Sequence, residues 1–301
     1  MKYLGYFAVG IVALVVVGVM TFWGGARMAL DRTYAHTEAT AQLPFFADAQ
    51  ADGIVRIATG RGEFRARVAG FSNGADRPLV VLLHGFPTTS VMWVDLIAPL
   101  AAAGYRVVAF DQRGYSPDVR PEAVVEYSVP RLVQDLFAVV ESVGGGQVHL
   151  VGHDWGAGVG WSAVLANPER ILSWTPLSIA HPSAFQAALE NDPEQQSKSG
   201  YFALFVTPSV PEILFSFNDF WALRGALNGM SAEKMQEHID VLSEPGALTA
   251  ALNWYRAAFT TGSLDGVNQN ADVFVPTLFI WGNQDTAVGR KGTELMADYM
   301  K

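Results

Sequence analysis

The sequence predicts an α/β fold: a mainly parallel sheet with helices on both faces, roofed by a helical cap and preceded by one transmembrane helix. Three observations predict it. Short, continuous apolar runs alternate with helical stretches, the pattern of strands buried on both faces. Between Pro182 and about Gly262 that rhythm breaks into a long segment rich in Phe, Tyr, Trp and helix formers. An insertion of this size between two core strands reads as a cap over the sheet. Finally, Tyr3 to Trp23 carries no charge over 21 residues.

That first segment matches a bilayer core of about 30 Å at a rise of about 1.5 Å per residue. Tyr3, Tyr6, Phe22 and Trp23 sit near its ends, where amphipathic rings favour the interface. A cleaved signal peptide is the rival, but its apolar region is about 7–15 residues and ends in a small-residue site. Gly24 to Leu30 offers no clean site of that kind. Lys2 before the span and Arg27 and Arg32 after it differ too little to set orientation.

The elements follow in order. Asp31 to Asp52 reads as a polar, Ala-rich tether. Ile54–Thr59 and Glu63–Ala69 alternate around Gly60 and Gly62, which predicts a hairpin. Leu79–Leu83, Arg106–Phe110, Val148–Val151, Ile171–Leu177 and Thr277–Trp281 are the expected buried strands. Helices are expected over Val91–Ala103, from Ser128 to about Val143, and over Gly156–Asn167, the second with Pro130 in its first turn. The expected organisation is an anchor over 1–24, a linker over 25–52, core over 53–181, cap over 182–262 and a shortened second part of the core over 263–301.

Composition narrows the function. The net charge is −9 and the pI near 5.1, so nucleic acid has no electrostatic footprint here. Zero cysteines exclude disulfides, thiolate metal sites and a Cys nucleophile. No histidine–carboxylate cluster suggests a metal, and no cofactor is expected.

Chemistry concentrates just past the Val148–Val151 strand, at Gly152-His153-Asp154-Trp155-Gly156. This is a Gly-x-nucleophile-x-Gly elbow with aspartate at its apex. The glycines permit a tight strand-to-helix turn, and the helix N-terminus favours an anion. The nucleophile's identity selects the reaction. Serine attacking an sp³ carbon would leave an ether, whereas a carboxylate leaves an ester that an oxyanion hole can help hydrolyse. Asp154 therefore favours displacement at carbon, opening an epoxide or expelling a halide, over ordinary ester hydrolysis. His84-Gly85-Phe86-Pro87 follows the first parallel strand, and the backbone N–H groups of Phe86 and Trp155 are the expected oxyanion donors. His84 is expected to orient that loop, and Asp111 to sit in a buried ionic turn. Asp285, in Trp281-Gly282-Asn283-Gln284-Asp285, stands where an acid orienting a histidine would stand, or else caps the following helix.

Together these features resemble the α/β-hydrolase superfamily and, within it, the epoxide hydrolases, from about Ile54 to the end of the chain. The most specific marks are the Asp154 elbow and Leu252-Asn253-Trp254-Tyr255-Arg256. The second resembles the cap motif whose tyrosine hydrogen-bonds the epoxide oxygen, and Tyr201 matches its partner tyrosine. A phenol is a protonated donor at neutral pH, suited to an oxygen gaining charge; the alternative for both tyrosines is core packing with a satisfied hydroxyl, and Tyr255 is the one for which function is favoured. The resemblance implies Asp154, Asp285, Tyr255 and Tyr201 as catalytic, Phe86 and Trp155 as oxyanion donors and substrate contacts, and an apolar epoxide as the small-molecule substrate. Haloalkane dehalogenases share the Asp-Trp pair but usually carry Asn where Phe86 stands. A non-catalytic, membrane-tethered binding protein is the reading from another class.

The chain departs from that pattern in one respect. The family places a histidine some two to three dozen residues after the acid, and here all six histidines precede Asp285. Lys301 lies 16 positions after Asp285, so a last strand and helix are also expected to be missing. A fragment of a longer enzyme is favoured over a natural pseudo-enzyme.

Overall fold

The computed structural model describes residues 36–49, 52–74, 76–260 and 272–301. The expected anchor over 1–24 and the first part of the linker lie outside the described residues. Residues 36–41 are helical, α1 (Phe46–Ala49) follows, and Phe45 bridges to Arg56, so this part of the linker is docked on the body.

Strands β1 (Gly53–Thr59) and β2 (Gly62–Ala69) form the expected hairpin, with Thr59 opposite Gly62. β3 (Leu79–Leu83), β4 (Arg106–Phe110), β5 (Val148–His153) and β6 (Ile171–Leu177) complete a six-stranded sheet in the order β1-β2-β4-β3-β5-β6. β2 runs antiparallel to β1 and β4, and every pair from β4 onward is parallel. The centre of the sheet is buried on both faces because β3 is apolar at every position and β4 at all but Arg106. Val80, Leu82, Val107 and Ala109 pack on one face with Trp93 and Ile97 of the segment leading into and forming α2 (Val94–Ala102). Leu79, Val81, Leu83, Val108 and Phe110 pack on the other, beneath α3 (Val129–Ser142) and α4 (Trp155–Ala166). This period of two sends alternate side chains to opposite layers.

After β6 the chain forms only helices up to Thr260: α5 (Pro182–Asn191), α6 (Pro193–Lys198), α7 (Phe202–Phe205), α8 (Val210–Ala226), α9 (Ala232–Ser243) and α10 (Ala247–Thr260). α10 carries the expected cap motif, and Leu252 through Tyr255 are all buried. Trp254 ties α10 to the sheet side by donating its indole N–H to the Arg113 carbonyl at 2.9 Å. α11 (Arg290–Leu295) packs against α5.

One expected strand is corrected. Thr277–Trp281 runs beside β6 in parallel, with Trp174 bridged to Thr277 and Leu177 to Ile280, but these are isolated bridges and not a continuous strand. Pro276 has no N–H to give, and Phe274, Leu278 and Ile280 are exposed on this segment. Among the described residues no single helix is long and apolar enough to cross a membrane. One pair bent by 91°, Pro193–Phe205 with Val210–Ala226, passes by length and composition alone.

Candidate active site

The site is assembled at the carboxyl ends of the parallel strands, where such sheets place their reactive groups. β3 delivers His84-Gly85-Phe86, β4 delivers Asp111, and β5 delivers Asp154. Asp154 has φ 52° and ψ −122°, a conformation that non-glycine residues avoid at a cost on the order of 1–3 kcal/mol. The turn holds because the backbone packs too closely for anything larger than glycine around it. A Cβ on Gly85 would lie 2.3 Å from Asp154 Oδ1, and one on Gly156 would lie 2.3 Å from the Leu83 carbonyl oxygen.

Asp154 Oδ1 accepts the backbone N–H of Phe86 at 2.8 Å. Burial pushes the Asp154 carboxyl upward. The nearby His153 and the N–H groups of Trp155 and Phe86 pull the other way without cancelling it. The two expected oxyanion donors thus both address the carboxylate. His84, fully buried, fixes the loop between them. Its Nε2 accepts the Gln112 N–H at 3.0 Å, which leaves the proton on Nδ1 for the Gly85 carbonyl at 3.1 Å. Burial pushes His84 down, in keeping with this neutral form. The Gln112 side chain also donates to the His84 carbonyl at 2.6 Å.

Asp154 and Trp155 border a cavity of about 270 Å³ between the sheet ends and the helical segment. Tyr201 and Tyr255 line it too, with their rings 6.3 Å apart, and the Trp155 ring stands 5.1 Å from that of Tyr255. The lining is otherwise apolar, from residues such as Trp161, Phe185, Phe202 and Phe259. Burial, and after it the negative charge of Asp154, pushes both phenols above their ordinary range, so each is a protonated donor across the neutral range.

Two expected site residues make further contacts of their own. The Phe86 ring is not among the residues lining this cavity. It packs edge-on against Tyr255 and Phe205, at 5.7 and 5.4 Å, while its backbone N–H addresses Asp154. Asp285 Oδ1 accepts the N–H groups of Ala287 and Val288 at 2.8 and 2.9 Å, an arrangement that shapes its own loop. Ala287 and Val288 line the cavity. Sequence reasoning missed what holds that loop: Gln195 and Lys198 on α6. Gln195 accepts from Gly289 and donates to Ala287, and Lys198 donates to the carbonyl of Asp285. It also missed Phe202, Phe185 and Phe259 as lining. Their density in the segment was visible, but not which of them faced inward.

The model of the α/β-hydrolase fold family matches residues 78–300, which covers both the elbow and the loop of Asp285. The chain belongs to the α/β-hydrolase family. This α/β hydrolase is 37% identical over 223 residues to the AB hydrolase superfamily protein YfhM of Bacillus subtilis, covering 72% of this chain and 77% of that one. It is 32% identical over 236 residues to epoxide hydrolase 4 of Mus musculus, across 75% of this chain and 64% of the mouse protein. The chain therefore spans less than two thirds of that relative's length. Among solved structures, the Bacillus megaterium epoxide hydrolase in complex with an inhibitor superimposes with a TM-score of 0.72 at 27% identity, covering 81% of this chain and 88% of that one. The chain is thus an α/β hydrolase of the epoxide-hydrolase-like kind, and an enzyme.

Proposed function

We propose that this hydrolase opens apolar epoxides to diols through a covalent ester on Asp154. An Asp154 carboxylate oxygen attacks an epoxide carbon, the ring C–O bond breaks, and the departing oxygen takes a proton from the hydroxyl of Tyr255 or Tyr201. Water then adds to the ester carbonyl and gives up a proton that returns to the tyrosinate, the N–H groups of Phe86 and Trp155 stabilise the oxyanion, and collapse releases the diol and restores the carboxylate. The observation that carries this reading is one apolar cavity bordered by a carboxylate at the elbow and by two protonated phenols. Cofactors have no part in these steps.

The second half of the cycle needs a base for the attacking water. The family resemblance gives that role to a histidine oriented by Asp285. The expected first product is the ester on Asp154. Incubation with a simple terminal epoxide, followed by intact-mass measurement and peptide mapping, tests it. One adduct on the Asp154 peptide, absent in Asp154→Asn, supports the reading. A folded chain giving neither adduct nor diol would overturn it, and halide release from a chloroalkane in the same assay would replace it with a dehalogenase. Steady diol production would show that the ester is also hydrolysed, with His181 the first candidate base for substitution.

We further propose that the chain is held to a membrane by residues 3–23, on the strength of their uncharged, bilayer-length run.

A further inference from the structure

Along helix α8, five large apolar side chains stand open among the described residues. Ile213 is 68% exposed, Phe217 65% and Trp221 70%, with Val210 and Leu214 about half exposed beside them. The helix breaks at Phe217–Phe220, and Asn218, Asp219 and Phe220 take left-handed conformations, so Phe217 stands on a projecting turn. Soluble monomers rarely leave large apolar side chains clustered in this way. An aliphatic and aromatic surface with few cations fits lipid better than a charged partner. Trp and Phe are the residues that settle at the headgroup boundary.

The path of the chain points to the same occupant. From the end of the apolar run to His36 there are about a dozen residues, which span at most about 40 Å when fully extended. His36 is bonded to Glu244, the residue following α9, and α9 packs on α8. The tether therefore enters the body beside the cap helices, so a bilayer holding residues 3–23 lies within reach of α8.

We propose that α8 seats the cap on the surface of the bilayer that holds the anchor, through Ile213, Leu214, Phe217 and Trp221. This inference rests on the membrane-anchor reading. Phe259, which lines the cavity and is 60% exposed, meets Phe202 of α7 edge-on at 5.8 Å, and α7 in turn packs against α8. The seated face thus adjoins the cavity rim, and apolar substrate dissolved in the bilayer would reach the cavity by a short route. Because the contact is apolar, it is expected on neutral lipid and at high salt.

The natural absence of cysteine makes the test clean. Full-length chain bearing Ile213→Cys, Phe217→Cys or, at the far end of α3, Ser142→Cys is labelled with an environment-sensitive fluorophore. It is then reconstituted into phosphatidylcholine vesicles with and without headgroup-proximal doxyl lipid. All three positions are exposed, so the fold is undisturbed. Probes at 213 and 217 are expected to shift to the blue and lose at least half their emission to the quencher, while a probe at 142 keeps nearly all of its own. Trp221→Glu should restore emission at 213. Chain that floats with vesicles but quenches no more at 213 and 217 than at 142 would overturn the seating and leave the anchor standing. Chain that does not float would overturn both. Cross-linking of 217 to a second copy would also overturn the proposal and mark α8 as a self-association face.

Discussion

Gln195 on α6 accepts the N–H of Gly289 at 2.8 Å and donates to the Ala287 carbonyl at 3.0 Å, clasping a loop more than 90 residues further along the chain. The side chain is fully buried, so both bonds form out of water. The clasp fixes Ala287 and Val288 as one wall of the cavity and, through them, the carboxylate of Asp285. Replacing Gln195 by Leu strands a donor and an acceptor, at about 1–3 kcal/mol each. The expected result is a lower melting temperature together with a raised half-saturating epoxide concentration for Asp154 alkylation. A variant that melts lower but alkylates with an unchanged concentration dependence would mean that the loop does not shape the pocket.

Asp154 carries its charge against its surroundings. Burial raises its carboxyl above the ordinary 3.8, so the folded protein holds this proton more tightly than the unfolded chain does. Between the ordinary value and the raised one, the folded state binds more protons, and the contribution of this group to stability falls as pH rises through that window. Asp154→Asn keeps an acceptor for the Phe86 N–H and removes the charge. Its melting temperature should exceed that of the parent at pH 7, by about 2–4 °C for each kcal/mol relieved, and the gap should close as pH falls toward 4. Thermal melts of both chains across pH 4–8 check it. Alkylation by the parent should rise over the same window, since only the carboxylate attacks.

The central sheet was legible because its strands announce themselves. Leu79–Leu83 and Arg106–Phe110 are short apolar runs between turn residues, and the elbow carries its own glycine spacing. The segment at Thr277–Trp281 shows how that signal misleads. It has strand composition, yet its single paired side yields only bridges. The position of Asp154 was readable, because local sterics fix a tight turn. The surroundings of Asp285 were legible only in part: its carboxylate accepts the N–H groups two and three residues on, a local cap, while Lys198 reaches its main-chain carbonyl from a distant helix. Nothing local marks Gln195 or Glu244 either. Each acts through side chains on elements far away in sequence, and only the folded chain brings them together.

Tyr255 is the phenol whose surroundings separate packing from proton donation. Its ring is buried against Phe205, Trp155 and Phe86 at 4.9, 5.1 and 5.7 Å, all contacts that phenylalanine would keep. Tyr255→Phe should therefore melt within about 1 kcal/mol of the parent while alkylating Asp154 about 10²–10⁴-fold more slowly, the usual worth of a positioned acid. Tyr201→Phe should slow alkylation further in the double variant. An undiminished rate in Tyr255→Phe would assign proton donation elsewhere. Single-turnover adduct formation followed by mass gives the rate.

Glu244 is the fully buried carboxylate that joins the docked linker, the hairpin and the cap. His36, Arg120 and Arg65 all contact it, and Arg65 is bound in turn to Asp111 at 2.5 Å. Burial alone would raise the Glu244 carboxyl, but the hydrogen bond to His36 and the charges of Arg120 and Arg65 outweigh it and hold it below the ordinary 4.5. A depressed carboxylate contributes stability that is fully present above its unfolded value and lost as pH falls through the folded one. Glu244→Gln leaves Arg120 without a carboxylate partner and Arg65 with Asp111 as its remaining one, a loss on the order of 3–5 kcal/mol at neutral pH. The melting temperatures of parent and variant should lie well apart at pH 7 and converge below about pH 4.5 as the parent's own carboxylate takes up its proton. A gap that stays constant down to pH 3 would show that the loss comes from packing and not from the charge. Proteolysis within residues 36–49 should accelerate in the variant at neutral pH, because the bond between His36 and the cap then no longer closes on a carboxylate.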